Sequence, residues 1–397
     1  MKIVHVEDVF HPDTGYQLNL LSKYMVAAGN DVTIITAETD KLPKEFMFFF
    51  GAEKIKERDN EFTERYGVKI IRIPTKGYYS GRVFLSNKLY KTVREEQPDV
   101  VYVHGNDTVT AMRYLLHRKS MNYPLVLDSH MLEMAAKNRF RKVFRKFYRM
   151  FFTPIIVKNN IPVIRTQDSN FIEKAYRIPL TNAPWISTGS DTMLFKPDEV
   201  INNQMRIANS IADDTYVVTY AGKLDEAKGG MLLADALLDR FECDRDIVFV
   251  IIGSATGNYG KMVEQRFSES QNRILRFPTQ KYVDLAKYFQ MSDLIVFPKQ
   301  CSLSFYDAQA CGVPVVFEEN EINSKRAMYK SAVTFTSDSS EDMRNKIADM
   351  ANLPEDEYIK MSEVAFNMIK ESYDYKDICD IYMKVIDQEI EKYEHLS

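Results

Sequence analysis

The chain has 397 residues, 45% apolar and 12% aromatic, with 52 Lys plus Arg against 56 Asp plus Glu and a net charge of −4. That length exceeds one compact core and suits two domains, and the apolar share excludes wholesale disorder. The charge balance excludes a general nucleic-acid binder, which needs a broadly basic surface. No apolar run approaches the ~18 residues of a membrane-spanning helix; the longest, 247–252 and 46–50, are far too short. The opening MKIVHVED turns acidic where a secretory signal needs its apolar stretch, so a cytosolic protein is expected. Cys243, Cys301, Cys311 and Cys379 show neither paired spacing nor a neighbouring His, so no zinc site or disulfide framework is visible.

In chain order, KIVHV predicts a strand, HPDTG a turn, YQLNLLSKYMVAAG a helix closed by Gly29, and DVTIIT the next strand. VKIIRIP, DVVYVH and PLVLDSH repeat the pattern of an apolar or β-branched run ending in polar residues. Strands apolar on both faces and separated by helical stretches indicate a parallel sheet covered by helices on both sides. A second series follows from Thr215, with strands in TYVVTYAG, DIVFVIIG, RILRFP, DLIVFP and PVVFEE and helices from Met231, Lys261, Asp284 and Ser304. Two consecutive doubly wound α/β domains are expected, with the boundary in the loop-like stretch 182–197. The last helix, 375–393, is assigned back to the first domain, giving domains of 1–190 plus 375–397 and 191–374. In this class ligands bind beyond the carboxyl ends of the strands.

The sharpest local signal is Gly222-Lys223-Leu224-Asp225-Glu226-Ala227-Lys228-Gly229-Gly230, between a strand and a helix. Gly222 lets the backbone approach a ligand, Lys223 and Lys228 sit five residues apart on one loop, and Gly229 and Gly230 leave room at a helix start. A diphosphate suits this loop; a solvated Lys-rich turn explains it equally well. The second signal is CSLSFYDAQACGVP (301–314), where Ser304 and Asp307 have the form of a capping box and Gly312 and Pro314 stop the helix. Asp307 suits a ribose diol, although capping its own helix is the commoner role.

These pieces resemble the retaining glycosyltransferases of family four, which have the GT-B fold of two facing Rossmann-like domains. YAGKLDEAKGG is similar to their G-R-L-x-x-x-K-G segment, ISTGSDTMLFKP to their N-G-V-D-x-x-x-F-x-P linker, and DAQACGVPVV to E-A-x-A-x-G-x-P-V. Order and separation match over essentially the whole chain. The resemblance implies that Lys223 and Lys228 hold a donor diphosphate and that Asp307 replaces the second Glu of E-x7-E, which binds the ribose. The first Glu, eight residues earlier, is Lys299 here, and the 298–307 loop is about three residues shorter than the common pattern. Gln300, Ser302 and Ser304, with the backbone amides of Leu303–Phe305, are the replacement contacts expected for the donor sugar.

On the N-terminal side, Gly15 stands where relatives often carry a Gly pair, and the resemblance sets it beside the donor phosphate or sugar. Asp13 is a cleft candidate that equally well forms a turn with Thr14 and Gly15. His130, in LDSHM, corresponds to the family's T-x-H segment beside the transferred sugar; His104, in VYVHGND, is a candidate for the acceptor side. No plausible Asp-x-Asp site is present, so metal-independent transfer is expected, with lysines stabilising the leaving diphosphate. No cofactor is expected; a nucleotide-sugar, UDP by family weight, is a substrate.

Between Lys137 and Arg149 lie seven basic residues and no acidic one, while Phe140, Val143, Phe144, Phe147 and Phe151 recur at helical spacing. The functional expectation is a peripheral membrane contact through Arg141, Phe144, Arg145, Phe147 and Tyr148, with Phe48 as a second point. The structural alternative is an aromatic stripe packed into the core beneath a solvated charged face. The function expected is transfer of one sugar from a nucleotide-sugar to a polysaccharide or glycolipid at the cytoplasmic membrane face. The alternatives are a noncatalytic homologue that stabilises a partner enzyme and, ranked last, a nonhydrolysing nucleotide-sugar epimerase.

Overall fold

The computed structural model describes residues 1–42, 54–79, 81–130 and 140–396. The chain divides into two units, one of Met1–Thr188 with Tyr375–Ser397 and one of Gly189–Asp374. Each unit is built on a six-stranded parallel sheet.

In the first unit the strands are β1 (Lys2–Glu7), β2 (Asp31–Ala37), β3 (Lys69–Ile73), β6 (Val100–Val103), β7 (Leu125–Ser129) and β8 (Val163–Arg165), in the order β3-β2-β1-β6-β7-β8. A separate antiparallel pair joins β4 (Thr75–Tyr79) to β5 (Arg82–Leu85). In the second unit, β9 (Tyr216–Ala221), β10 (Ile247–Ile252), β11 (Arg273–Phe277), β12 (Leu294–Phe297), β13 (Val315–Glu318) and β14 (Ala332–Phe335) take the same order, β11-β10-β9-β12-β13-β14. The order reverses between β1 and β6 in one sheet and between β9 and β12 in the other. Those are the two places where loops diverge to opposite faces and leave a crevice at the strands' carboxyl ends.

The central strands are buried on both faces. Ile3, Val4, His5 and Val6 of β1 are all closed to solvent, as are Val100–Val103 of β6. Such strands need helices on both sides. The helix Gln17–Ala27 supplies part of one cover, and the helix Tyr375–Leu396 packs beside it. Gln17 Nε2 donates to Tyr382 Oη at 2.7 Å, Tyr24 stacks on Tyr375 at 6.5 Å, and Tyr102 of β6 lies 6.5 Å from the Tyr382 ring. Further along, Lys392 Nζ donates to Asn160 O at 2.8 Å and Tyr393 Oη to Met121 O at 3.1 Å.

The basic-aromatic segment forms the helix Arg141–Phe151, and its rotation corrects part of the sequence expectation. Tyr148 is fully buried, its hydroxyl donating to Asn106 O at 2.9 Å, so it is core and not a membrane contact. Phe144 is half-buried under the Arg82 guanidinium, 4.2 Å from its ring. Arg145 turns inward over Phe171 at 4.9 Å with its Nη2 buried. The outward side carries Phe140, Val143, Phe147, Met150 and Phe151, between 44% and 70% exposed, flanked by exposed Arg141, Lys142 and Lys146. Phe48 lies outside the described residues. Among the described residues no helix is long and apolar enough to cross a membrane.

Candidate functional site

In the second unit the polar groups gather where β9 and β12 end. The Gly222 amide donates to Ile252 O at 3.0 Å, and a Cβ at Gly253, which has φ +142°, would stand 1.8 Å from Gly222 O. Only glycine permits two strand ends to meet backbone to backbone in this way. Asp225 caps the turn Glu226–Lys228 by accepting from the Lys228 amide at 2.8 Å. Gly229 (φ +73°) lies against the β12 loop, since a Cβ there would stand 2.9 Å from Lys299 Cγ and 3.1 Å from Pro298 Cβ. The lysine loop and the 298–303 loop therefore pack on one another.

Burial lowers the pKa of both Lys223 and Lys228; Asp225 opposes this, and for Lys228 the charge of Lys223 adds to the lowering. The two ammonium groups share one field, and Lys228 Nζ has no ion-pair partner among the described residues. A desolvated cation such as Lys228 suits an anionic ligand.

The loop after β12 departs from expectation. Leu303, in helical conformation, occupies the cap position without a side-chain bond, and Ser304 is the first residue of the helix Ser304–Ala310, so no Ser304/Asp307 capping box forms. Asp307 is instead buried, its Oδ1 accepting from Ser190 Oγ at 2.8 Å and Tyr282 Oη at 2.9 Å. Burial, only partly opposed by those two bonds, pushes its pKa up to about 7. The Phe305 side chain is buried, which leaves only its backbone for a ligand. The amides of Leu303, Ser304 and Phe305 make no hydrogen bond among the described residues. Ser302 gives its carbonyl to Arg326 Nη1 at 3.0 Å. Lys299 pairs with Asp338, and Gln300 holds a left-handed φ of 64°.

In the first unit a hydrogen-bonded chain crosses the ends of β1, β6, β7 and β8. His5 Nδ1 lies 3.0 Å from His104 Nε2, His104 Nδ1 2.7 Å from Asp128 Oδ2, and His130 Nε2 3.3 Å from the same oxygen. Asp128 Oδ1 accepts from the Gly105 amide at 2.7 Å, and Thr166 Oγ1 lies 3.1 Å from His130 Nδ1. His104 is buried between two partners and so is not an open acceptor contact; His130 keeps 44% of its side-chain surface. Burial would raise the Asp128 carboxyl, but His130 and His104 hold it well below the usual carboxylate range. Desolvation opposes charge on His130, yet Asp128 outweighs it and raises the imidazole pKa. His5, buried and facing His104, is lowered well below the ordinary value and stays neutral.

The ligand-type atoms of His104, Asp128 and His130 all lie within 4.8 Å of one another. The direct 2.7 Å contact is a hydrogen bond and leaves no space for an ion between its two atoms at the ~2.0–2.2 Å that zinc requires. Beside this chain Glu7 is raised by burial, and Asp8, which accepts from Thr110 Oγ1 at 2.5 Å, is pushed up to about 7 by burial. His5, Glu7, Asp8, Asp128 and Thr166 were missed by sequence reasoning. The available signal was a polar residue inside or ending an otherwise apolar strand. Asp13 is held by Arg58 Nη1 at 2.8 Å beside a turn in which the Thr14 amide donates to His11 O at 3.3 Å. Gly15 follows that turn without a positive φ.

The family described as Glycosyltransferase Family 4 matches residues 15–158, and Glycosyl transferases group 1 matches residues 215–352. A D-inositol 3-phosphate glycosyltransferase of Jonesia denitrificans is 30% identical over 143 residues, 33% of this chain and 34% of that protein. The chain spans about a third of the length of the curated relatives it matches. Among solved structures, a glycosyltransferase from Rickettsia africae superposes with a TM-score of 0.73 at 14% identity, over 98% of each chain. Anabaena Alr3699/HepE in complex with UDP-glucose gives 0.72 at 17% identity, over 98% of this chain and 100% of that one. With one family match on each sheet and a shared fold over nearly the whole length, the chain belongs to the family-four glycosyltransferases of GT-B fold.

Proposed function

We propose that the protein is a retaining, metal-independent glycosyltransferase that moves a sugar from a nucleotide-sugar, most simply a UDP-sugar, to a polysaccharide or glycolipid at the cytoplasmic face of a membrane. The observation that carries this reading is the Lys223/Lys228 pair, two lysines whose pKa values burial lowers, at the strand-order reversal of the second sheet. In this reading the two lysines and the free amides of Leu303–Phe305 hold the diphosphate, and Asp307 stands nearest the ribose. During transfer the bond from the anomeric carbon to the diphosphate oxygen breaks and a bond to the acceptor oxygen forms on the same face. The acceptor proton passes to the leaving phosphate, whose charge the lysines stabilise. In the first unit, His130, whose imidazole pKa Asp128 raises, is the candidate cationic donor, and Gly15 allows close backbone approach. HepE was solved with UDP-glucose, which favours UDP as the first nucleotide to test. The exposed apolar row of the Arg141–Phe151 helix, flanked by cations, supports contact with an anionic bilayer.

The experiment is thermal stabilisation by UDP, GDP, ADP and their sugar forms. A ligand at 100 times its Kd adds about 2.7 kcal/mol to the native state. Lys228→Ala should weaken binding of the responding donor at least tenfold, because a desolvated phosphate contact is charge-assisted; unchanged binding would sink the assignment. One observation favours a second reading, a noncatalytic homologue. Lys299 stands where relatives use a sugar-binding Glu, and it is tied to Asp338. Donor binding with no transfer to any acceptor in membrane extracts would select that reading.

A further inference from the structure

The helix Glu321–Ala327 lies beside the 298–303 loop and fastens three consecutive residues of it. Asn323 Nδ2 donates to Gln300 O at 3.4 Å, Cys301 Sγ donates to Asn320 Oδ1 at 3.2 Å, and Arg326 Nη1 donates to Ser302 O at 3.0 Å. Residues 320, 323 and 326 recur every third position, so one side of this short segment meets the loop. Asn320 is itself fixed, because its Oδ1 also accepts the amides of Ile322 and Asn323.

Arg326 is the unusual member. It is only 6% exposed, its Nε and Nη2 have no hydrogen-bond partner, and no carboxylate pairs with it among the described residues. Its guanidinium carbon stands 4.7 Å from the Phe305 ring centroid and 5.0 Å from that of Tyr306. A buried cation without a counter-charge is expensive, and packing alone would be served as well by an apolar side chain. What the guanidinium supplies is a hydrogen bond to the loop backbone, orientation over two rings, and positive charge beneath the loop. The field of Arg326, like that of Lys228, reaches the Cys301 thiol, so these groups share one neighbourhood.

We propose that Arg326, supported by Asn323 and Asn320, is a positioning residue that holds the donor loop in its binding conformation against Lys228. This rests on the donor-site reading above. It accounts for a short loop that keeps a left-handed Gln300 without glycine, since each following carbonyl or thiol is tethered from the same helix.

The test is calorimetric binding of UDP and UDP-glucose to the full chain, in wild type, Lys228→Ala, Arg326→Met, Arg326→Lys and Asn323→Ala, with donor and acceptor KM wherever turnover is seen. Arg326→Met and Asn323→Ala are expected to weaken UDP-glucose binding more than fivefold and to raise donor KM without moving acceptor KM. Arg326→Lys, which keeps charge and a donor, is expected to recover at least half of the loss in logarithmic terms. A folded Arg326→Met protein that binds within fivefold of wild type overturns the proposal. If Arg326→Met does not fold, Asn323→Ala decides by the same threshold. Loss of binding in Lys228→Ala with retention in the other variants defeats only the Arg326 inference. Wild-type protein that binds no nucleotide defeats the donor-site reading and this inference with it.

Discussion

Asp307 accepts two hydroxyl hydrogen bonds on one oxygen inside the second unit, and its carboxyl has a pKa of about 7 there against ~3.9 in an unfolded chain. Between those values the folded state binds the extra proton, so native stability falls as pH rises from about 4 to about 7 and stays reduced above. Asp307→Asn keeps an acceptor for Ser190 and Tyr282 and has no proton to lose. Urea unfolding should find the variant's stability relative to wild type rising across that window, by roughly 1–4 kcal/mol between pH 4 and pH 8. A pH-independent difference would mean that the carboxyl is not buried as described. The sequence exposed the lysine pair because glycines on both sides of a loop leave a local signature. It did not expose Asp307's partners, since Ser190 lies 117 positions away and an i, i+3 Ser/Asp pattern offers a cheaper local explanation. The sequence singles out His104 for the acceptor side, but its partner was hidden in the same way, for the bond to Asp128 spans 24 positions and depends on β6 pairing with β7.

Elements were legible where they are long and apolar. Five strands of each sheet announce themselves by runs of four to six such residues. The sixth in each case gives no such run: β8 has only three residues, and in β14 a threonine interrupts the four-residue stretch Ala332–Phe335. The hairpin β4–β5 was missed because Gly77, Tyr78 and Tyr79 form no apolar face by themselves. For the Arg141–Phe151 helix, periodicity gave the helix but not its rotation. Apolar groups occupy adjoining sectors, and only the core decides that Phe144 and Tyr148 turn in while Phe147 and Phe151 turn out. This split makes a two-sided prediction. Val143→Ser with Phe147→Ser should cost only about 1–2 kcal/mol of unfolding free energy together, most of it from the Phe147 ring contacts with Phe151 and Phe152, yet release the protein from anionic vesicles in a sedimentation assay. Tyr148→Ala should cost ~3–5 kcal/mol in urea unfolding through the lost core volume and the orphaned Asn106. Vesicle binding that survives the double change would remove the membrane contact from the proposed function.

At the scale of the whole molecule, one strand order occurs twice, and the first unit is discontinuous in sequence. Tyr382 carries that discontinuity into energetics, since it is buried, holds Gln17 and lies near Tyr102. Tyr382→Ala should cost the first unit ~3–5 kcal/mol. Hydrogen exchange should then quicken in β1, β6 and β7 while β9, β10 and β12 keep their protection. Equal loss of protection in both sheets would contradict the division into units.

The return of the Tyr375–Leu396 helix to the first sheet also sets an order of events at the ribosome. Translation at ~5–20 residues per second takes roughly 10–40 s to traverse the intervening unit. Throughout that interval the Gln17–Ala27 helix lacks the neighbour that packs beside it. The half of the protein synthesised first is therefore the half completed last.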